Sequence, residues 1–295
     1  MTRGSRAPVE RMPVSTCTRW LAAAVTVVVA GCSAPPTAPA MPPPPPPVPA
    51  PAPVAAPVDG LAENFAEMSA NIRAQVGVAV VAGALSAQPA RAFGTWAQGP
   101  AWSTIKVPLS IAALRKAPDQ VRGLVNSAII NSDNQAAEQL WEILGEAGPA
   151  AEAVEGVLRE GSDVTTAVQA QRVRVGYSAF GQTDWPMTGQ ARFAARLPCI
   201  ADAVPVLEDM RTLDGEQQWG LANRDGVAAK GGWGPGPDGA YLVRQLAVLT
   251  GPGGVTGVAL AAQSDDGSYD SAVAAINQLA DWVRQHRAEL PVAPC

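Results

Sequence analysis

Ser103 and Lys106 lie three residues apart at the start of an apolar stretch, Ala101-Trp102-Ser103-Thr104-Ile105-Lys106-Val107-Pro108-Leu109. On a helix, that spacing places both side chains on one face, about one turn apart. A serine hydroxyl is a weak nucleophile, and an amine with a lowered pKa beside it can take its proton. Val107, Leu109, Ile111 and Leu114 would bury the helix and hold the pair in place. The simpler reading of the same residues is a helix N-terminus capped by Ser103.

Two further polar clusters follow. Ser132-Asp133-Asn134 comes about thirty residues later, and Lys230-Gly231-Gly232 about a hundred beyond that. The first also reads as a capping sequence and the second as a plain strand edge. A second lysine near the same serine would lower the pKa of both amines and attract an anion. His286 is the only histidine, in a polar run near the C-terminus, so a Ser-His-Asp or Cys-His site lacks its base. A nucleophilic site here must use a lysine, a carboxylate or a water. No cluster of Cys and His offers a metal site, and no cofactor is expected.

Ser-x-x-Lys, Ser-Asp-Asn and Lys-Thr-Gly in that order form the signature of serine β-lactamases and penicillin-binding proteins. The chain resembles that family, class A most closely, over nearly all of residues 60–287 in element order. The resemblance implies an α+β fold, an antiparallel sheet flanked by helices with an all-helical lobe. It also implies roles. Ser103 would be the acylated nucleophile, Lys106 its proton partner, and Ser132 the relay to the leaving nitrogen. Asn134 would hold the substrate amide and Lys106, and Lys230 would attract a substrate carboxylate. The backbone N–H groups of Ser103 and of Trp233, just past Gly232, would form the oxyanion hole.

Three departures stand out. Gly231 replaces the Thr or Ser of the family and removes a hydroxyl, a loss of about 1.5–3 kcal/mol for a substrate charged there. The span from Ser103 to Ser132 is short, so the cleft should be more open. The loop glutamate that activates the deacylating water should fall near Gln171 or Arg172, neither of which is a base. Gln169 cannot replace it, Glu160 lies too early, and Asp184 would need a different loop path. An acyl-enzyme should therefore turn over slowly.

The elements that must position these residues are legible in outline. Residues 61–74 repeat as a helix, and 76–82 and 90–97 read as a strand and its hairpin partner. Helices are expected over 121–130, 135–144, 150–159, 189–197 and 206–221. Residues 161–187 read as a long loop, a length more often functional than idle. Strands at 228–233, 240–250 and 255–263 precede a closing amphipathic helix at 269–287. Outer helices and a strand set split by a helical insertion suggest one antiparallel sheet with helices on both sides.

The chain of 295 residues opens differently. Residues 1–31 carry Arg3, Arg6, Arg11 and Arg19 before an apolar run, as a secretory signal peptide does. Val29-Ala30-Gly31-Cys32 resembles a bacterial lipobox, which implies lipidation of Cys32 and a lipid anchor on the extracytoplasmic face of the cell membrane. A plain signal anchor is the alternative. Residues 32–59 are the lipidated end and a Pro/Ala-rich tether with an unbroken run from Pro42 to Pro47. As polyproline II, its core would reach ~75 Å at ~3.1 Å per residue. Residues 60–295 are the folded domain, long enough for one large core.

The formal charge is -5, and the leader's four Arg and one Glu leave the remainder at -8. An acidic chain without a basic run argues against nucleic acid. With Cys17 in the leader and Cys32 lipidated, Cys199 and Cys295 remain. An exported compartment permits them to pair, and two free thiols is the other reading.

The expected function is serine acyl transfer through Ser103, weakly on β-lactams or peptidoglycan peptides. The alternative is an inert envelope lipoprotein of the same fold that binds peptidoglycan or a protein partner. A plain structural lipoprotein fits least well, given Ser103, Lys106, Ser132, Asn134 and Lys230 together.

Overall fold

A computed structural model describes residues 59–222 and 224–295. The expected signal peptide, Cys32 and nearly all of the expected tether lie outside them. Among the described residues, no helix is long and apolar enough to cross a membrane.

Helix α1 (Gly60–Ser69) leads into strand β1 (Ala74–Ala82), which turns back into β2 (Arg91–Gly94). After the helical lobe come β5 (Val227–Pro235), β6 (Tyr241–Gly251) and β7 (Gly254–Ser264), closed by α8 (Tyr269–Gln285). These strands form one antiparallel sheet in the order β2-β1-β7-β6-β5. The last strand in the chain therefore pairs with the first, and β5 is left as an edge. β1, β6 and β7 are buried along most of their length, as expected of a sheet covered on both faces. α8 covers one face with Ile276, Leu279 and Val283, and its Trp282 packs edge-on to Phe65 of α1. α6 (Met187–Arg196) covers the other face. This is the expected α+β arrangement.

The helical lobe is built around α2 (Lys106–Lys116), buried from Lys106 to Ala113 and in contact with α3 (Pro118–Ile130), α4 (Asn134–Leu144) and α5 (Ala147–Glu160). Pro108 sits in the first turn of α2, where its missing N–H costs no helical bond. Gly145 ends α4 with φ 108°, a left-handed cap that relieves the last carbonyls.

Several expected boundaries shift. Residues 206–221 are helical only in α7 (Val204–Asp209), because the Asp209 carboxylate binds Arg122 and Asn126 of α3 and the Asp214 side chain starts a new 3-10 turn at Gly215. Helix α1 ends at Ser69, short of residue 74. The long loop also contributes a strand too short for a periodicity to show. β3 (Gln98–Pro100) pairs with β4 (Asp184–Pro186) in a separate two-stranded sheet. Arg244 of β6 fastens this ribbon to the main sheet, donating to the carbonyls of Gly99, Pro100 and Trp185. Its burial pulls the guanidinium pKa down to about 10.

Cys199 and Cys295 are joined in a disulfide across 96 residues. The tail beside it pairs with the sheet through Val255 and Ala293. Of the two readings, the structure takes the paired one.

Candidate active site

Ser103 lies in a 3-10 turn, Trp102–Ile105, that runs directly into α2. The turn is anchored by the Ala101 N–H, which donates to the Thr183 carbonyl at the end of the long loop. Trp102 takes φ 48°, in a region that non-glycine residues seldom occupy and that costs about 1–3 kcal/mol. Strand β5 presses against the same turn. A Cβ on Gly232 would stand 2.8 Å from the Ser103 nitrogen and 2.9 Å from that of Thr104, so only glycine lets the strand approach.

The Ser132-Asp133-Asn134 cluster divides its labour. The Asp133 carboxylate caps α4, accepting from the N–H groups of Gln135 at 2.7 Å and Ala136 at 3.1 Å. Ser132 before it takes φ 55°, a second positive-φ residue at the site. The capping reading therefore holds for Asp133, while Ser132 and Asn134 of the same triplet accept from Lys106.

The three clusters meet. Lys106 Nζ donates to the Ser132 carbonyl at 2.6 Å and to Asn134 Oδ1 at 2.7 Å, and lies 3.4 Å from Ser132 Oγ. Lys230 Nζ lies 2.9 Å from the same hydroxyl and also binds the Gly231 carbonyl. One serine oxygen thus bridges two lysines. Both are buried, at 1% and 0% exposure, which disfavours their charged forms. Burial brings the Lys106 pKa from 10.5 down to about 7, against the opposing pull of Asp133 and Glu138. Lys230 is pushed well below the ordinary lysine range by burial and by the charge of Lys106.

Ser103, Lys106, Ser132, Asn134 and Trp233 all line one cleft of about 340 Å³. Gly232 sits behind its floor, against the Ser103 backbone, and Lys230 lies beneath Ser132 without reaching the wall. Ser132 therefore stands between Lys230 and the cleft. Glu160 binds Arg115, and Asp184 accepts from Gln98 in the β3–β4 ribbon. Neither lines the cleft.

Sequence reasoning missed three participants. Gln217 is buried, accepts from Lys230 through Oε1 at 2.5 Å, and donates to the Ile129 and Ile130 carbonyls, tying Lys230 to the end of α3. Glu138, one turn after Asn134 on α4, is the carboxylate among the described residues lining the cleft. It is held by Arg172 of the long loop at 3.0 Å. The spacing of Glu138 from Asn134 was a signal in principle, since i and i+4 share a helix face. Trp219 is the third. Its ring fills the space that a side chain on Gly231 would need, with a Cβ there only 2.7 Å from the indole.

The sequence matches no protein-family model and no curated protein. Solved structures do match. The reconstructed class A β-lactamase of the last common ancestor of Gram-negative bacteria superposes with a TM-score of 0.57 at 20% identity, covering 77% of this chain and 99% of its own. The TLA-3 extended-spectrum β-lactamase gives a TM-score of 0.62 at 15% identity, covering 78% of this chain and 98% of its own. At such identities the likeness speaks for architecture, and it spans almost the whole of both relatives: the chain has the serine β-lactamase-like fold of the class A enzymes.

Proposed function

We propose that this protein is a cell-envelope lipoprotein, anchored at Cys32, that takes an acyl group onto Ser103 from activated amides or esters. β-Lactams are the class suggested by the structures it resembles, and peptidoglycan peptides by the three sequence motifs. The observation that carries the reading is the pair of buried lysines sharing the Ser132 hydroxyl beside Ser103. With a pKa of about 7, Lys106 is deprotonated often enough at neutral pH to accept a proton.

In the proposed first step, Ser103 Oγ bonds to the acyl carbon and its proton passes to Lys106 Nζ. The bond to the leaving nitrogen or oxygen then breaks, and the leaving atom takes a proton through the Ser132 hydroxyl. The N–H groups of Ser103 and Trp233 would receive the developing oxyanion. Gln217 positions Lys230, and Asn134 positions Lys106. Release of the acyl group by water is slow on this reading, because the long loop supplies Arg172 where a carboxylate base would serve, and Glu138 is engaged by that arginine.

Labelled penicillin tests the proposal. Intact-mass spectrometry should show a persistent adduct that Ser103→Ala abolishes. No adduct after long incubation with several β-lactams and ester peptides would refute acyl transfer and favour the inert, ligand-binding alternative.

A further inference from the structure

The cleft is poor in free positive charge. Among the described residues lining it, the cations are Lys106 and Arg172. Arg172 is already paired with Glu138 at 3.0 Å. Lys106 spends its N–H groups on the Ser132 carbonyl and Asn134 Oδ1. Nearby cations are committed as well. Lys230 has three neighbours, Ser132 Oγ, Gln217 Oε1 and the Gly231 carbonyl, which fill its capacity in either protonation state. As an ammonium it donates to all three, and as an amine it donates two hydrogens and accepts the Ser132 proton. Arg174 donates to the Pro235 and Gly236 carbonyls and stacks on Tyr177. Arg244 is buried against the carbonyls of the β3–β4 ribbon.

Nor does residue 231 supply a hydroxyl beside Lys230. Residue 231 is glycine, and the Trp219 ring occupies the space a larger residue would take. A carboxylate entering here would shed its water and meet an arginine already paired and lysine N–H donors that already have acceptors, a net cost. The walls offer something else. Trp102, Tyr177, Phe180, Trp233 and Tyr241 line the cleft, with Tyr177 edge-on to Trp102 at 5.4 Å. Trp233 continues outward through Tyr269 to Tyr241, a ladder of rings on the β5 side. Aromatic walls recognise flat, apolar or ring-shaped groups.

We infer that the Ser103 cleft selects acyl donors that are uncharged beside the scissile bond, esters or amides with a flat apolar flank, over donors that carry a carboxylate there. This rests on the acyl-transfer reading above and narrows its substrate class. It places specificity in the Glu138–Arg172 pair, which neutralises the arginine at the cleft wall.

Benzylpenicillin and its methyl ester form the test, since they differ only in that carboxylate. Second-order acylation rates of the full-length protein are followed by intact mass, each divided by the compound's own alkaline hydrolysis rate. The methyl ester is expected to react at least as fast as the free acid. Glu138→Gln, which leaves Arg172 unpaired, should then shift the ratio toward the free acid by about fivefold, the upper range for a partly exposed ion pair. A free acid that reacts several-fold faster than the ester on the unmodified protein overturns the inference, as does a ratio unmoved by Glu138→Gln. If neither compound nor a p-nitrophenyl ester labels Ser103, the acyl-transfer reading itself falls and takes this inference with it.

Discussion

If Lys106 is the base for Ser103, the rate of acylation must follow its titration. Its pKa is brought to about 7, chiefly by burial at 1% exposure, with Asp133 and Glu138 holding it up. The neutral fraction is then about 0.1 at pH 6, about 0.5 at pH 7 and about 0.9 at pH 8. Acylation by a non-titrating donor such as benzylpenicillin methyl ester should rise about tenfold from pH 6 to pH 8 and level off above. An unshifted lysine at 10.5 would give a tenfold rise per pH unit through pH 9 with no plateau. Stopped reactions analysed by intact mass resolve the two. A log-linear rise through pH 9, or a flat profile, refutes Lys106 as the base.

The same shift has a consequence for stability. Below pH 7 both the folded and the unfolded chain hold the Lys106 proton, so the cost of burying the charge is felt in full. Between about 7 and 10.5 the unfolded chain keeps a proton that the folded one has shed, so stability rises with pH across that window. The slope is at most ~1.4 kcal/mol per pH unit. Urea melts at pH 7 and pH 9 should therefore show the protein gaining on its Lys106→Met variant, and parallel behaviour of the two would count against the shift.

Gly232→Ala should cost ~1–3 kcal/mol and sharply reduce labelling of Ser103, because the new methyl meets the backbone nitrogens of Ser103 and Thr104 at 2.8 and 2.9 Å and a backbone cannot turn aside as a side chain can. A melting temperature and a labelling rate both unchanged would mean that β5 does not press on the nucleophile's turn. Reduction of Cys199–Cys295, or Cys295→Ser, should lower stability by up to ~4.7 kcal/mol, the scale for a crosslink closing a loop of about a hundred residues. Two thiols alkylated without reductant would show that the bond is not made.

The three clusters were legible because each combines polar residues with an element that the flanking apolar pattern already defines. Ser103 and Lys106 open a buried helix, Ser132 to Asn134 surround a cap, and Lys230 enters a strand that reads clearly on both sides. Gln217 was not legible, since it lies in a segment whose apolar spacing continues as if helical, while the chain leaves the helix at Asp209 for tertiary reasons: an arginine of α3 and the cap at Asp214. β4 was hidden by its length of three residues. The most informative miss is the pair of Glu138 and Arg172, because each residue was visible and their meeting was not. A cation stands on the loop where the resemblance leads one to seek a carboxylate, and a carboxylate stands opposite it on α4. The two charges cancel at the cleft wall, so the loop that would drive hydrolysis in the proposed chemistry instead neutralises the remaining acid. On that reading the asymmetry between taking an acyl group and releasing it arises at the cleft wall, away from Ser103, and substitution at residue 172 should alter release and substrate choice before it alters attack.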